Sequence, residues 1–253
     1  MLDSIFALAK MVFLESYRKR IIHVFMGICF IFLVWASTYN AFGLDVQTKF
    51  LQDTSLFALT FVGLLITLTS TAGLLSNELQ MKTVYPLLAK PLSRWQVLVG
   101  KFVGALYVIY LNLGVLAVIF LSLLWYRQGH LEQTTIQSLY LVFVECTVTA
   151  AVCLFFSTFF STAANVCVTF LIYYLGEIKE IAGTFNHWVL KTVAVPLNNP
   201  ILPPTYEYFD IKQALIMGIP VSWTYIGTVT LYGIFLAALY LSVAGWIFSR
   251  RDL

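Results

Sequence analysis

The chain is a succession of long apolar runs separated by short polar breaks. Apolar residues make up 60% of its 253 residues, charged residues only 11%, and the mean hydropathy is +0.86. A soluble domain averages about a quarter charged residues, so this chain has too little charge to cover a water-soluble globule. A helix needs about 20 predominantly apolar residues to cross a bilayer. The sequence therefore predicts an all-α integral membrane protein, a single transmembrane domain over residues 1–253.

Six apolar runs are the predicted transmembrane helices. The break after the first run contains Asp45, Lys49 and Asp53 and is interpreted as a loop that leads into the second span. Residues 177–222, before the last run, are rich in proline, which interrupts helices. This extracytoplasmic region is predicted to form re-entrant or surface-lying outer helices between spans five and six. The predicted spans are approximately 21–42, 55–76, 102–125, 136–159, 163–176 and 223–248.

Residues 1–20 have the pattern of an amphipathic helix that lies on the membrane surface. Apolar side chains recur at steps of three and four residues, which places them on one face of a helix. A secretory signal peptide has its apolar stretch before a small-residue cleavage site, whereas here the long apolar run begins only after Arg20 and no such site follows. The prediction is an N-terminal interfacial helix. The alternative is a disordered amphipathic tail.

The basic residues are unevenly divided between the two sides that six spans define. Basic residues collect on the cytoplasmic side of a membrane protein. With six spans, the side that holds both termini carries ten of the fifteen basic residues. We therefore expect a multi-pass protein of the cell (inner) membrane with both termini in the cytoplasm. The ten residues are Lys10, Arg18, Lys19, Arg20, Lys82, Lys90, Arg94, Lys101, Arg250 and Arg251.

The longest polar interruption in the first half of the chain is residues 77–101, called here the coupling segment. Two prolines break helix formation inside it. Ser93 and Gln96 have the spacing of a capping box, so a new helix is predicted to begin at Arg94 and to continue into the third span. Such a helix to Trp125 is about 48 Å long, longer than the roughly 30 Å hydrocarbon core. The prediction is a cytoplasmic helix–break–helix elbow. The alternative is an ordinary loop whose basic residues only reflect its position on the cytoplasmic side of the membrane.

The coupling segment resembles the signature region of ABC-2 type transporter permeases, the membrane subunits of one class of ATP-binding-cassette transporters. That family shows an acidic residue after span two, then a threonine, Leu-Leu, a basic residue with proline, Ser-Arg, and later Gly-Lys. The chain ends in a sequence similar to the family's closing Phe-x-Arg-Arg-Asp-Leu. Where the family often has glycine before the threonine, Lys82 stands here. The matching residues are Glu78, Thr83, Leu87, Leu88, Lys90, Pro91, Ser93, Arg94, Gly100 and Lys101.

The resemblance implies a permease driven through the coupling segment by a separate ATPase. It implies two ATPase subunits and a dimer of permeases, with a substrate path between the two copies and transport more often outward. The dimer is predicted to be a homodimer; the alternative is a heterodimer of two different permeases. The sequence has no G-x-x-x-x-G-K-[ST] phosphate loop, so ATP and Mg are expected on the partner, with no cofactor, metal or enzyme activity in this chain and no nucleic-acid partner. Charge reversal at Arg94 is expected to uncouple ATP hydrolysis from transport. The candidate ATPase-coupling residues are Glu78, Lys82, Thr83, Leu87, Lys90, Pro91, Ser93, Arg94 and Lys101.

Four polar residues in or beside the apolar runs are candidates for a translocation path: Glu145, Asn112, Glu177 and Glu180. A carboxyl group at the depth of Glu145 costs about 3 kcal/mol on insertion scales, so it either faces the substrate or the dimer interface, or is a neutral group bonded to a neighbouring span. Asn112 is its candidate partner or the donor of another inter-helix bond. Glu177 and Glu180 either line the exit path or belong to an interfacial ring of charge at the outer end of span five.

Two other functions compete with the permease of an ABC exporter. An ion- or proton-coupled carrier would use Glu145, but the sequence lacks a run of intramembrane charges and an evident internal repeat. An intramembrane enzyme would need a catalytic motif such as G-x-S-x-G or H-E-x-x-H, and the sequence contains neither. The four cysteines lie in apolar runs without CxxC or Cys/His spacing, so neither a disulfide framework nor a zinc site is predicted.

Overall fold

The structure, a computed structural model, describes residues 2–38, 44–76, 94–177, 206–217 and 219–250. Every regular element within these ranges is helical. The elements are α1 (Leu2–Tyr17), α2 (Arg20–Thr38), α3 (Leu44–Thr71), α4 (Arg94–Gln128), α5 (Gln133–Phe156), α6 (Thr162–Glu177), a 3-10 turn (Tyr206–Phe209), α7 (Lys212–Met217) and α8 (Trp223–Arg250).

Five helices in the described ranges are long and apolar enough to cross a membrane, by length and composition: α2, residues Gln47–Thr71 of α3, α4, α5 and α8. The predicted fifth span corresponds to α6, which has 16 residues and is therefore about 24 Å long. This is shorter than the roughly 30 Å hydrocarbon core. The structure thus supports five of the six predicted spans. The remaining one, the predicted fifth span, corresponds to a helix that is short for a membrane crossing.

The prediction of a polar loop over Asp45, Lys49 and Asp53 is wrong, because α3 already begins at Leu44. The polar residues mark where the apolar stretch starts rather than where the helix starts, since a helix can extend beyond the hydrocarbon core. For the third span, the prediction that the helix begins well before the apolar stretch is confirmed. There the helix begins at Arg94 and continues to Gln128 without a break.

Contacts between neighbouring helices define two ends of the bundle. At the first end, called here the Lys101 end, the Lys101 side chain of α4 bonds to the carbonyl oxygen of Leu74, just after α3. At the second end, called the Arg127 end, the guanidinium group of Arg127 donates to the carbonyl oxygen of Ser37 in α2. The α3 and α5 helices also meet near that end, where Gln52 Nε2 donates to Thr135 Oγ1 at 3.3 Å.

Helix α6 runs antiparallel to α5 and covers only part of it. Asn165 Nδ2 donates to the carbonyl oxygen of Cys153, and the Tyr173 hydroxyl donates to Glu145, so eight residues of one helix match eight of the other. At this register the last residue of α6 reaches the level of Leu141, about 12 Å short of the start of α5. The 3-10 turn and α7 pack against α3, α5 and α6. The Phe209 side chain of the 3-10 turn is buried.

Helix α1 packs along the first turns of α4. Leu8, Ala9 and Val12 are buried, while Phe6 and Met11 on the same helix are exposed. The close approach depends on Gly104 of α4, because a Cβ atom there would lie 2.8 Å from the carbonyl oxygen of Ala9. The predicted N-terminal helix therefore exists, and one of its faces is covered by protein. Its position relative to a membrane surface stays a prediction.

Candidate functional site: the anchors of the coupling segment and the intramembrane polar pair

Residues 77–93 of the coupling segment lie outside the described residues, and so does Glu180. The structure describes the residues on either side of this part, Ser76 and Arg94. The site is therefore built from the two anchors of the segment. The predicted coupling residues outside the described ranges are Glu78, Lys82, Thr83, Leu87, Lys90, Pro91 and Ser93.

The first anchor is the carboxyl end of α3. The last carbonyl groups of a helix have no partner within it, and this end carries partial negative charge. Here they and the carbonyls of the following turn accept hydrogen bonds from three other parts of the chain. The donors are Lys101 Nζ to Leu74 O at 2.5 Å, Asn165 Nδ2 to Ala72 O at 3.1 Å and Lys19 Nζ to Thr69 O at 3.3 Å.

Lys101 lies inside the bundle rather than on its surface. Its relative exposure is 3%, and its ammonium group donates to the α3 end described above. A buried charge needs hydrogen-bonded, opposite-sign surroundings to be tolerated, and the carbonyls at the end of a helix provide them. Lys101 therefore holds α4 against the turn that follows α3.

Asn165 is a donor in the first anchor that the sequence analysis did not single out. It is fully buried, and its amide nitrogen bridges Ala72 O of the α3 end and Cys153 O of α5. Its Oδ1 accepts from the Thr169 hydroxyl at 3.1 Å. A nearby pair of hydroxyl groups, Ser76 and Thr162, lies 2.8 Å apart and joins the turn after α3 to the start of α6. The available signal was a single amide near the start of the predicted span 163–176.

The second anchor joins the beginning of α4 to the end of α8. Arg94 Nη1 donates to the carbonyl oxygens of Phe248 at 2.9 Å and Ser249 at 3.0 Å. The next residue, Trp95, packs against Gly245, where a Cβ atom would lie 2.6 Å from the indole ring. A cation at the carboxyl end of a helix is favourable because of the negative end of the helix dipole. At least part of the Arg94 guanidinium is therefore committed to α8.

The intramembrane acid Glu145 is bonded to the neighbouring helix α6. Its relative exposure is 5%, and its Oε1 accepts a hydrogen bond from the Tyr173 hydroxyl at 2.5 Å. The prediction that Asn112 would partner Glu145 or bond across helices is wrong within the described residues. The Asn112 amide nitrogen instead donates to the carbonyl oxygen of Val108 in its own helix at 2.7 Å. Glu177 is the last residue of α6.

A family model described as "ABC-2 family transporter protein" matches residues 6–253. The chain belongs to this family. The match covers all but the first five residues, so it includes the coupling segment, both anchors and the Glu145–Tyr173 pair. No curated protein matches the chain.

As an ABC-2 permease, the chain is a multi-pass membrane protein of an ABC transporter. The family is one of membrane subunits, and no ATP-binding domain is evident in this chain. The family membership also gives the permease ABC ATPases as its general class of partner.

Proposed function

We propose that an ATPase subunit drives this ABC-2 permease by displacing the coupling segment, and that the permease moves a substrate out of the cell. The observation that supports this proposal is the pair of anchors at the two ends of residues 77–93. A helix–break–helix segment transmits force only if both ends are fixed to rigid elements. The α3 end is fixed by Lys101 and Asn165, and the α4 end is fixed by Arg94.

The contacts define how a displacement would spread through the bundle. Movement of the α3 end acts on α4 through Lys101 and on α6 through Asn165 and Thr162. Movement of the α4 end acts on α8 through Arg94. The α6 helix in turn carries Tyr173, which bonds to Glu145 of α5. The segment is thus linked to four helices by hydrogen bonds, and a shift of α6 relative to α5 changes the surroundings of Glu145.

The proposed assembly is a homodimer of permeases with two ATPase subunits that carry ATP and Mg, in the cell (inner) membrane. We propose that both termini lie in the cytoplasm. The basic residues at the Lys101 end of the bundle support this orientation, because basic residues collect on the cytoplasmic side. Lys19, Arg94 and Lys101 lie at the Lys101 end, as their contacts show.

The experiment tests charge reversal inside the segment, at Lys82. Arg94 is a less informative position than the sequence suggested, because Arg94→Glu would also place a negative charge at the carboxyl end of α8. Tagged permease would be purified from its native membranes with Lys82→Glu, and with Lys49→Glu as a matched control on α3 near its beginning. Reversing a charge at an interface costs more than about 1.4 kcal/mol, so we expect at least a tenfold loss of bound ATPase.

The Lys49→Glu control is expected to retain its ATPase, and both variants are expected to elute as folded, monodisperse permease. Retention of a normal amount of active ATPase by Lys82→Glu would contradict the proposed coupling surface. Wild-type permease that purifies without any ATPase, but transports with a proton gradient alone, would favour the alternative of a proton-coupled carrier that uses Glu145.

A further inference from the structure

A cleft of about 400 Å³ opens between α3, α6 and the 3-10 turn with α7, towards the Arg127 end of the bundle. It lies beside the carboxyl end of α6, which contributes Tyr173 and Tyr174 to its lining. Its volume is within the range of about 300–1,000 Å³ that is typical of small-molecule sites. The described residues that line it are Asp53, Thr54, Phe57, Thr60, Phe61, Tyr173, Tyr174, Asp210 and Lys212.

Aromatic side chains form two walls of this cleft. Phe57 and Phe61 of α3 are stacked, with ring centroids 6.2 Å apart and an interplanar angle of 10°. On α6, the Tyr173 and Tyr174 rings meet edge to face, with centroids 5.5 Å apart. Phe57 is 58% exposed although it is large and apolar. The electron-rich faces of such rings attract organic cations and bind their apolar groups.

The charged residues among the described lining, Asp53, Asp210 and Lys212, carry one more negative charge than positive. Lys212 Nζ lies 3.5 Å from Asp210 Oδ2, so these two charges offset each other. Asp53 has no hydrogen bond or ion pair with any side chain or backbone group in the described part of the chain. A separate, much smaller cavity beside Glu145 shares Thr60, Asp210 and Lys212 with the lining of the cleft.

We propose that this cleft binds an organic cation with an apolar, aromatic-sized body, whose charge lies near Asp53 and whose body packs on the Phe57 and Tyr174 rings. Among the described lining residues, an anionic ligand would meet the Asp53 carboxylate with no free cation beside it, because Lys212 is already paired with Asp210. That the cleft binds such a cation is inferred from its geometry alone. That the permease transports the bound cation rests on the proposed function.

The test compares two probes of nearly the same shape and opposite charge, tetraphenylphosphonium and tetraphenylborate. Each would be titrated separately by calorimetry into permease in nanodiscs of phosphatidylcholine. Empty nanodiscs would be subtracted because both probes partition into lipid. We expect saturable binding of tetraphenylphosphonium and none of tetraphenylborate. Saturable binding of tetraphenylborate, or no saturable binding of either probe to the wild type, would overturn the proposal.

Variants locate the site. Asp53→Asn should weaken tetraphenylphosphonium binding by about five-fold or more, since one nearby charge is removed, and Asp53→Glu should restore it. Phe57→Ala should also weaken binding. Because Phe57 is exposed, we expect this variant to fold as the wild type does. Glu132→Gln, an acid just before α5 that does not line the cleft, is the matched control and should bind as the wild type does. Equal affinity of wild type and Asp53→Asn would refute the assignment.

A separate measurement addresses transport. If tetraphenylphosphonium stimulates ATP hydrolysis by the ATPase that purifies with the permease, the bound cation is a substrate. Binding that depends on Asp53 in a permease without a partner ATPase would uphold the cleft while the proposed function fails. A permease that binds its ATPase tightly but does not bind tetraphenylphosphonium would uphold the proposed function and refute the proposed cation site.

Discussion

Lys101 is a charged side chain in an almost completely buried position, and its surroundings explain why this is tolerated. Its relative exposure is 3%, and its ammonium group meets a carbonyl group at the carboxyl end of α3. The partial negative charge of that helix end offsets part of the cost of burying the cation. The carbonyl group of Leu74 in turn gains a strong, charge-assisted donor. Each group would be costly to bury without the other.

Replacing Lys101 with methionine keeps an unbranched side chain of similar length and removes the charge and the donor. The Leu74 carbonyl would lose that donor in a buried position, so we expect the free energy of unfolding to fall by about 1–3 kcal/mol. The midpoint of thermal unfolding in detergent would measure the change. Lys10→Met, at an exposed position of α1, is the control and should change stability by no more than about 0.5 kcal/mol. Equal midpoints for the two variants would show that the Lys101 bond contributes nothing.

The residues around Glu145 show what single-residue reasoning can predict. A carboxyl group within an apolar run is visible in the sequence because of its cost, and the structure does bury Glu145. Its partner was not predictable, because Tyr173 looks like many other tyrosines and lies 28 residues further along the chain. Asn112 was the more obvious choice by polarity, yet it bonds within its own helix. Which face of a helix meets which neighbour depends on packing, which periodicity alone does not give.

At the scale of helices, the contact of α1 with α4 depends on one glycine. A Cβ atom at Gly104 would lie 2.8 Å from both Ala9 O and Val12 Cβ. Atoms this close must move apart. Two of the atoms that an added Cβ would meet belong to the backbone of Ala9, which cannot rotate away as a flexible side chain can. Phe13 and Tyr107 add an edge-to-face ring contact at 5.2 Å to the same interface. The α1 helix is therefore held against α4 by shape as well as by its apolar face.

Gly104→Ala should separate α1 from α4 and lower the free energy of unfolding by about 1–3 kcal/mol, as overpacking does elsewhere. Gly114→Ala, in the same helix, has no atom within 4 Å of the added Cβ. That control should leave stability unchanged or raise it by up to about 1 kcal/mol, because alanine is the better helix former. Thermal unfolding of both variants checks the prediction. A Gly104→Ala protein as stable as Gly114→Ala would mean that α1 can move aside without cost.

Helix limits were predictable only where a turn signal accompanied the change in hydropathy. Two prolines and a capping pattern precede Arg94, and α4 begins there. Before the second span, residues 44–54 mix polar and apolar residues and contain neither glycine nor proline, and α3 extends over Asp53 to Leu44. Polarity alone marks the region that leaves the hydrocarbon core, whereas glycine, proline and capping residues end a helix.

At the scale of the whole molecule, the contacts place the start of α2 and the end of α8 at the same end of the bundle. Lys19, just before α2, bonds to Thr69 near the end of α3. Arg94, at the start of α4, bonds to the last turn of α8. This arrangement requires an even number of crossings between the two, whichever way the chain passes through residues 178–205. The six-span plan meets this condition when α6 is counted as the short crossing.

The two ends of the bundle should therefore react differently with a membrane-impermeant maleimide. In a Cys167→Ser background, which removes the exposed native thiol and leaves three buried ones, His130→Cys should be labelled in spheroplasts. Lys10→Cys should be labelled only after the membrane is permeabilised, because basic residues near the Lys101 end favour the cytoplasm. Both positions are exposed on the isolated chain, so a difference reports sidedness rather than burial. Labelling of Lys10→Cys in intact spheroplasts would place the coupling segment on the wrong side for an ATPase, and the proposed mechanism would fail with it.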